Sequence, residues 1–333
     1  MKTTKRVRIT ALVALIAAVA GIVVAHGSAA RRAASPRVGT VVAKIPIPPN
    51  SGALAVGEGA VWATSDTVPT LLRIDPATNT VVARTPIASN NTCTDLPGSC
   101  GEAAAGNGAL WIARMFDNSV LRIDPSTNSL TATIPVGSQP EGIATTPGAI
   151  WVVNRGGPSV SRIDPATNQV VATVRIGSVP CCSDDMAVAA DAGAVWVSVP
   201  SAASVVRIDP GTNTVVARVQ LAQTPCAFLA AGGGAVWSAG GHCGGSVMRI
   251  NGRTNRPAGA VKGMSVPVGV AVGFGSVWVA DLGARQIVRV NPKTNRIVGR
   301  LGLRGVPVRL AVGFGSLWVR DDTGLVLRIN PQR

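Results

Sequence analysis

The chain reads as an all-β protein, a seven-bladed β-propeller with four-stranded blades, in which an N-terminal strand completes the last blade. Three observations predict this. Seven tryptophans, Trp62, Trp111, Trp151, Trp196, Trp237, Trp278 and Trp318, recur with gaps of 49, 40, 45, 41, 41 and 40 residues. Each period holds four short apolar segments, the pattern of a blade whose faces stay uncovered until neighbours stack on them. The two ends of the chain are also complementary, one lacking the strand that the other has to spare.

Taken from the N-terminus, residues 1–30 carry the marks of an export signal. Lys2, Lys5, Arg6 and Arg8 precede an apolar run from Ile9 to Ala25, and Ser28, Ala29 and Ala30 supply small residues for cleavage. The run is about 17 residues long, so the alternative is an uncleaved N-terminal anchor. Residues 31–40 read as a linker and 41–333 as the propeller. Removing the four basic residues of the leader takes the formal charge from +15 to +11. That excess attracts anionic partners such as cell-envelope polymers, acidic lipid surfaces or nucleic acid.

Within each unit the segments become strands a to d, from channel to rim. In the sixth unit they are G-V-A-V (269–272), S-V-W-V-A (276–280), I-V-R-V (287–290) and I-V-G-R-L (297–301). Each Trp follows a glycine turn such as G-E-G-A-V or G-F-G-S-V and sits in strand b, where it is large enough to fill the wedge between blades. Strand c ends near an arginine in every unit: Arg73, Arg122, Arg162, Arg207, Arg249, Arg289 and Arg328. Then comes D-P-A-T-N-T or a variant such as N-P-K-T-N-R, a hairpin turn. Asp or Asn bonds back to the backbone, Pro presets the first turn residue, and Asn tolerates a left-handed conformation. The last unit stops at Arg333 without a d strand, whereas G-T-V-V-A-K-I-P-I (39–47) is a d strand without a blade. Pairing Val41 to Ile47 with the strand ending at Ile329 closes the ring and leaves no open blade edge.

A binding site breaks a repeat rather than obeying it. The two long periods carry insertions between strand d and the next strand a, with Cys93 and Cys100 in the first and Cys181 and Cys182 in the second. Cys226 lies in the equivalent link before blade 5, and Cys243 follows His242 in the b-to-c loop of that blade. Both loop types emerge on one face. In an oxidising compartment six cysteines read as disulfides. The expected pairs are Cys93 with Cys100, Cys226 with Cys243 and a vicinal Cys181 with Cys182, Cys182 with Cys226 being the competitor. Unrepeated polar residues on this face are the ligand-binding candidates: Arg114, Asn154, Arg155, Asp185, Asp281, Arg320 and Asp321. Five of them, Asn154, Arg155, Asp281, Arg320 and Asp321, come at or just after the end of strand b, where side chains can lean over the channel. Asp117, Asp184, Glu141, His242 and Arg309 belong to the same face. Cations on strand d (Lys44, Arg84, Arg218, Arg300) and on turns (Lys293, Arg296) read as protection of exposed edges, with polyanion binding as the alternative.

Residues suited to acid–base chemistry are few. Past the leader there are no tyrosines, one histidine (His242) and three glutamates (Glu58, Glu102, Glu141). Zinc spacings, phosphate-cradling loops and nucleophile elbows are missing, the glycines standing in periodic turns instead. Glu141 and His242 are the acid–base candidates, and no resident metal or cofactor is expected.

Two family resemblances span residues 41–333. R-I-D-P-A-T-N-Q-V-V-A-T-V and G-A-I-W-V-V-N resemble the YVTN-type propeller repeats of bacterial surface and periplasmic proteins. V-P-V-G-V-A-V-G-F-G-S-V-W-V-A resembles the units of the virginiamycin B (streptogramin) lyases. The lyase resemblance implies a magnesium-assisted elimination that opens a cyclic depsipeptide ester, with histidines and a glutamate from P-H-G-I loops. The corresponding loops here read P-E-G-I (140–143), P-C-C-S, P-C-A-F, P-V-G-V and P-V-R-L. Glu141 matches one position, and no histidine stands in any of them. The expectation is an exported, monomeric, non-catalytic binding propeller with an unknown ligand at the channel mouth. An anionic cell-envelope polymer is a further candidate partner, and membrane contact is expected only through an uncleaved N-terminal segment. The rival readings are a lyase using magnesium and a polyanion binder.

Overall fold

A computed structural model describes residues 38–49, 52–65, 68–87, 101–177, 186–191 and 193–332. The leader, most of the linker, Cys93, Cys100, Cys181, Cys182, Asp184 and Asp185 lie outside the described residues. Seven four-stranded antiparallel sheets make up the ring, each ordered a-b-c-d, with short 3-10 turns at Pro200–Ala202 and Gly241–Cys243. Among the described residues no helix is long and apolar enough to cross a membrane.

The ring closes as expected. Thr40–Pro46 pairs antiparallel with Leu325–Asn330, from Thr40 opposite Asn330 to Pro46 opposite Leu325, and completes the sheet of Pro307–Gly313 and Ser316–Asp321. Pairing starts one residue before the expected Val41, and Val38 is already buried. Gly39 allows this entry: its φ is +120°, and a Cβ there would stand 2.5 Å from the carbonyl oxygen of Asn330.

A repeated bolt joins blade to blade. All seven tryptophans are 0–1% exposed, and each lies under the strand-c arginine opposite it, the guanidinium carbon 5.2–5.7 Å from the ring centroid. With the rings buried and the arginines partly exposed, each such stack is worth about 1 kcal/mol. Five of these arginines then reach the asparagine of the c–d turn of the next blade. Arg122 donates to Asn168 at 2.7 Å, Arg162 to Asn213 at 3.1 Å, Arg207 to Asn255 and Arg249 to Asn295 at 3.2 Å, and Arg328 crosses the closure to Asn79 at 3.0 Å. These asparagines hold φ of 55–58°. The left-handed turn residue is therefore also the acceptor that orients its neighbour's cation.

Inner strands crowd at the axis, which explains the glycine ahead of most tryptophan turns. A Cβ on Gly57, Gly106, Gly232, Gly273 or Gly313 would come within 3.0 Å of the next blade's Ala105, Thr145, Val272, Val312 or Val56. Strand order gives the ring two faces. Links from d to a and loops from b to c form the upper face; turns from a to b and from c to d form the lower one.

Candidate functional site

Seven strand-a starts converge at the upper mouth of the channel. Register places Ala53, Glu102, Gly142, Ala187, Phe228, Gly269 and Arg309 at equivalent positions, each one residue before the residue that pairs with the middle of strand b. Four are Gly or Ala, which leaves room for the three large ones to meet. Arg309 Nη2 lies 2.7 Å from Glu102 Oε1, and its guanidinium carbon lies 4.0 Å from the centroid of Phe228. Blades 2, 5 and 7 are thus tied by one buried guanidinium, its side chain 5% exposed against 17% for Glu102.

Glu141, one step earlier in blade 3, is buried and serves the seams beside this cluster. Its Oε2 accepts the backbone N–H of Met186 at 2.9 Å, and its carbonyl accepts that of Glu102 at 2.9 Å. Together with Leu54, Met186 and Phe228, these charged groups line a cavity of about 170 Å³.

Residues at the end of strand b do not lean over the channel, contrary to expectation. Asp281 and Asp321 sit under loops whose N–H groups they accept, and Asn154 and Arg320 donate to neighbouring strands and links. Asp281 accepts from Ser265 N at 3.0 Å, Val266 N at 2.9 Å and Gln286 Nε2 at 2.8 Å. Asp321 accepts from Thr323 N at 3.1 Å, Thr323 Oγ1 at 2.9 Å and Leu325 N at 3.0 Å. Asn154, fully buried, donates to Ser159 and Ser161. Arg320 spans the closure, donating to the carbonyls of Ala53 and Thr64 in blade 1. Arg155 is half-buried with its backbone N–H on Gln139 O, and Arg114 is ion-paired with Asp117. The mouth instead uses Arg309, Glu141 and two residues not singled out from sequence as site residues, Glu102 and Phe228. Aligning the units on their glycine turns would have exposed both, since small residues hold the equivalent place in blades 1, 3, 4 and 6.

Cys226 and Cys243 form the expected disulfide, Cα atoms 5.9 Å apart, joining the d–a link to the b–c loop of blade 5. His242 lies beside it, with ligand-type atoms of Cys226, His242 and Cys243 all within 4.8 Å. With the sulfurs bonded to each other, this trio offers no thiolate to a metal. Two strand-d cations also have structural partners: Arg218 donates to Ile176 O at 2.7 Å and Arg300 to Gly263 O at 2.7 Å, each in a d–a link. On the lower face the carboxyls of Asp75 and Asp124 are held below their ordinary pKa by hydrogen bonds, first from Ala77 N and from the Ser126 hydroxyl respectively. Asp209 is lowered in the same way, first by Thr212 N and then by Gly211 N.

No protein-family model matches the chain. No curated protein matches it either. Solved structures do. Virginiamycin B lyase from Staphylococcus aureus aligns with a TM-score of 0.71 at 14% identity, over 86% of this chain and 98% of that one. A streptogramin B lyase aligns at 0.70 and 17%, over 86% and 96%. A catalytically inactive form of the S. aureus enzyme with quinupristin aligns at 0.69 and 16%, over 86% and 98%. At these identities the likeness is one of fold.

Proposed function

We propose that this chain is an exported, non-catalytic binding propeller whose recognition surface is the upper face around the Arg309–Glu102–Phe228 cluster. The observation that carries this reading is the state of the mouth. Glu102 is paired with Arg309, Glu141 holds a backbone N–H of the next blade, and the histidine His242 lies in the b–c loop of blade 5, outside the residues that line the cavity. Among the described residues, a general base with a partner acid on the far side of a substrate is not assembled there. The cavity, about 170 Å³, is smaller than the roughly 300–1,000 Å³ of sites that enclose drug-sized molecules. Recognition then falls to the surrounding loops, which the Cys226–Cys243 bond holds in place. The leader motif and that bond support an oxidising compartment outside the cytoplasm.

The lyase reading is second, favoured by fold likeness over 86% of the chain. It would call for magnesium, which takes oxygen ligands and one or two carboxylates. The donor set at the mouth fits that ion poorly, because a guanidinium already occupies one carboxylate at 2.7 Å. The test incubates the protein with quinupristin and magnesium and separates cyclic from linear antibiotic by chromatography. No linearisation is expected; magnesium-dependent opening lost in Glu141→Gln would replace the binding reading with the lyase.

A further inference from the structure

The lower face has two electrostatic halves. In blades 1–4 every c–d turn opens on an aspartate, Asp75, Asp124, Asp164 and Asp209, and contains no lysine or arginine. In blades 5 and 6 the turns read N-G-R-T-N-R and N-P-K-T-N-R. Asn251 and Asn291 replace the carboxylates, and Arg253, Arg256, Lys293 and Arg296 are added, all exposed. The turn geometry is unchanged by the exchange. Asn251 and Asn291 accept the N–H two residues on at 2.9 Å, as Asp75 does at 2.8 Å. Folding therefore does not require the substitution, and what it alters is charge.

Two phenylalanines share this face with the cations. Phe274 and Phe314 occupy the first central position of the a–b turns of blades 6 and 7, at φ of 53° and 50°. Turns of this hairpin type favour Asn or Gly, and Asn107 and Gly233 hold the same place in blades 2 and 5. A bulky side chain at positive φ is strained. Phe314 is also 41% exposed, so burial does not compensate it. The chain enters the described structure on this face too, since Thr40 begins strand d of blade 7 opposite Asn330. The apolar run from Ile9 to Ala25 precedes that entry point.

We propose that the lower face at blades 5–7 docks on an anionic lipid bilayer, with Phe274 and Phe314 entering the headgroup layer and Arg253, Arg256, Lys293 and Arg296 facing the lipid phosphates. This membrane contact is independent of the leader and of any ligand at the channel mouth. It turns the upper face away from the bilayer, towards whatever the mouth binds. Basic residues alone would suit any polyanion; an exposed Phe314 and a half-buried Phe274, both held at a strained backbone position, select the bilayer.

Residues 38–332 contain every strand of the closed ring, so a chain beginning at residue 31 carries the fold without the apolar leader. Its sedimentation with phosphatidylcholine vesicles containing phosphatidylglycerol should exceed that with phosphatidylcholine alone and should fall as salt rises. Each cation changed to Gln should weaken binding about fivefold, and the quadruple variant should abolish it. Phe274→Asn with Phe314→Asn should weaken vesicle binding while leaving the melting temperature equal or higher, because Asn suits the turn. Equal sedimentation with both vesicle types, binding that survives the quadruple variant, or binding unchanged by the Phe substitutions would overturn the proposal. So would retention on heparin without vesicle binding, which would identify a polyanion site instead.

Discussion

Replacing Glu102 by Gln removes the carboxylate that lies 2.7 Å from the Arg309 guanidinium, buried against Phe228. The two charges, bridged at 2.7 Å, have centres about 4 Å apart, and at an effective dielectric of about 20 their attraction is about 4 kcal/mol. Breaking a buried pair from one side typically costs about 3–5 kcal/mol. Glu102 is 17% exposed, so solvent screening places the expected loss near the lower end, about 3 kcal/mol. Arg309→Met should cost less, about 1–2 kcal/mol, because a partly exposed carboxylate can hydrate while the thioether packs on the Phe228 ring. The double variant removes both charges and should lie within about 1 kcal/mol of the parent. Urea unfolding followed by tryptophan fluorescence reads all four proteins, since the seven indoles pass from 0–1% exposure to solvent. An E102Q loss below about 0.5 kcal/mol, or a double variant whose loss equals the sum of the singles, would refute a coupled cluster at the mouth.

Cys243→Ser opens a loop whose ends are 17 residues apart, and loop-closure entropy sets the expected loss at about 3 kcal/mol. The parent protein in reductant should unfold at or below the midpoint of the variant, since reductant also opens any other disulfide, and a midpoint unchanged by either treatment would contradict the stapling role. The turn aspartates predict an acid limit. Asp75, Asp124 and Asp209 titrate below 3.8 in the folded chain because turn donors hold the carboxylates ionised. Their contribution is therefore fully present above that value and is lost as pH falls through the lowered folded values. Melting temperatures measured against pH should decline below about pH 4, and Asp75→Asn should flatten the decline, as Asn251 and Asn291 already serve the same turn.

Much of this molecule is legible one unit at a time. Period, strand count, turn type and the N-terminal closure all depend on contacts within about 40 residues or on the ends of the chain, and a sequence displays those directly. The Cys226–Cys243 pair was readable for the same reason, both cysteines standing at the top of one blade. Even the role of the D-P-x-T-N asparagine was half visible: its left-handed backbone follows from its type, but its acceptor for Arg162 or Arg328 belongs to a neighbouring blade.

The mouth of the channel is different, because the side chains of Glu102, Phe228 and Arg309 meet across three blades. Asp281, Asp321 and Asn154 look like site residues along the chain, yet loop N–H groups claim the two aspartates and strand-c serines claim Asn154. Glu102, Phe228 and Arg309 are far apart in sequence and come together only where seven inner strands converge. Sequence alone therefore determined the blades, their number and their order. Tertiary structure decided which side chains cross the axis, since that depends on the small residues at the other positions of the ring and on which charge finds its counterpart before a loop does.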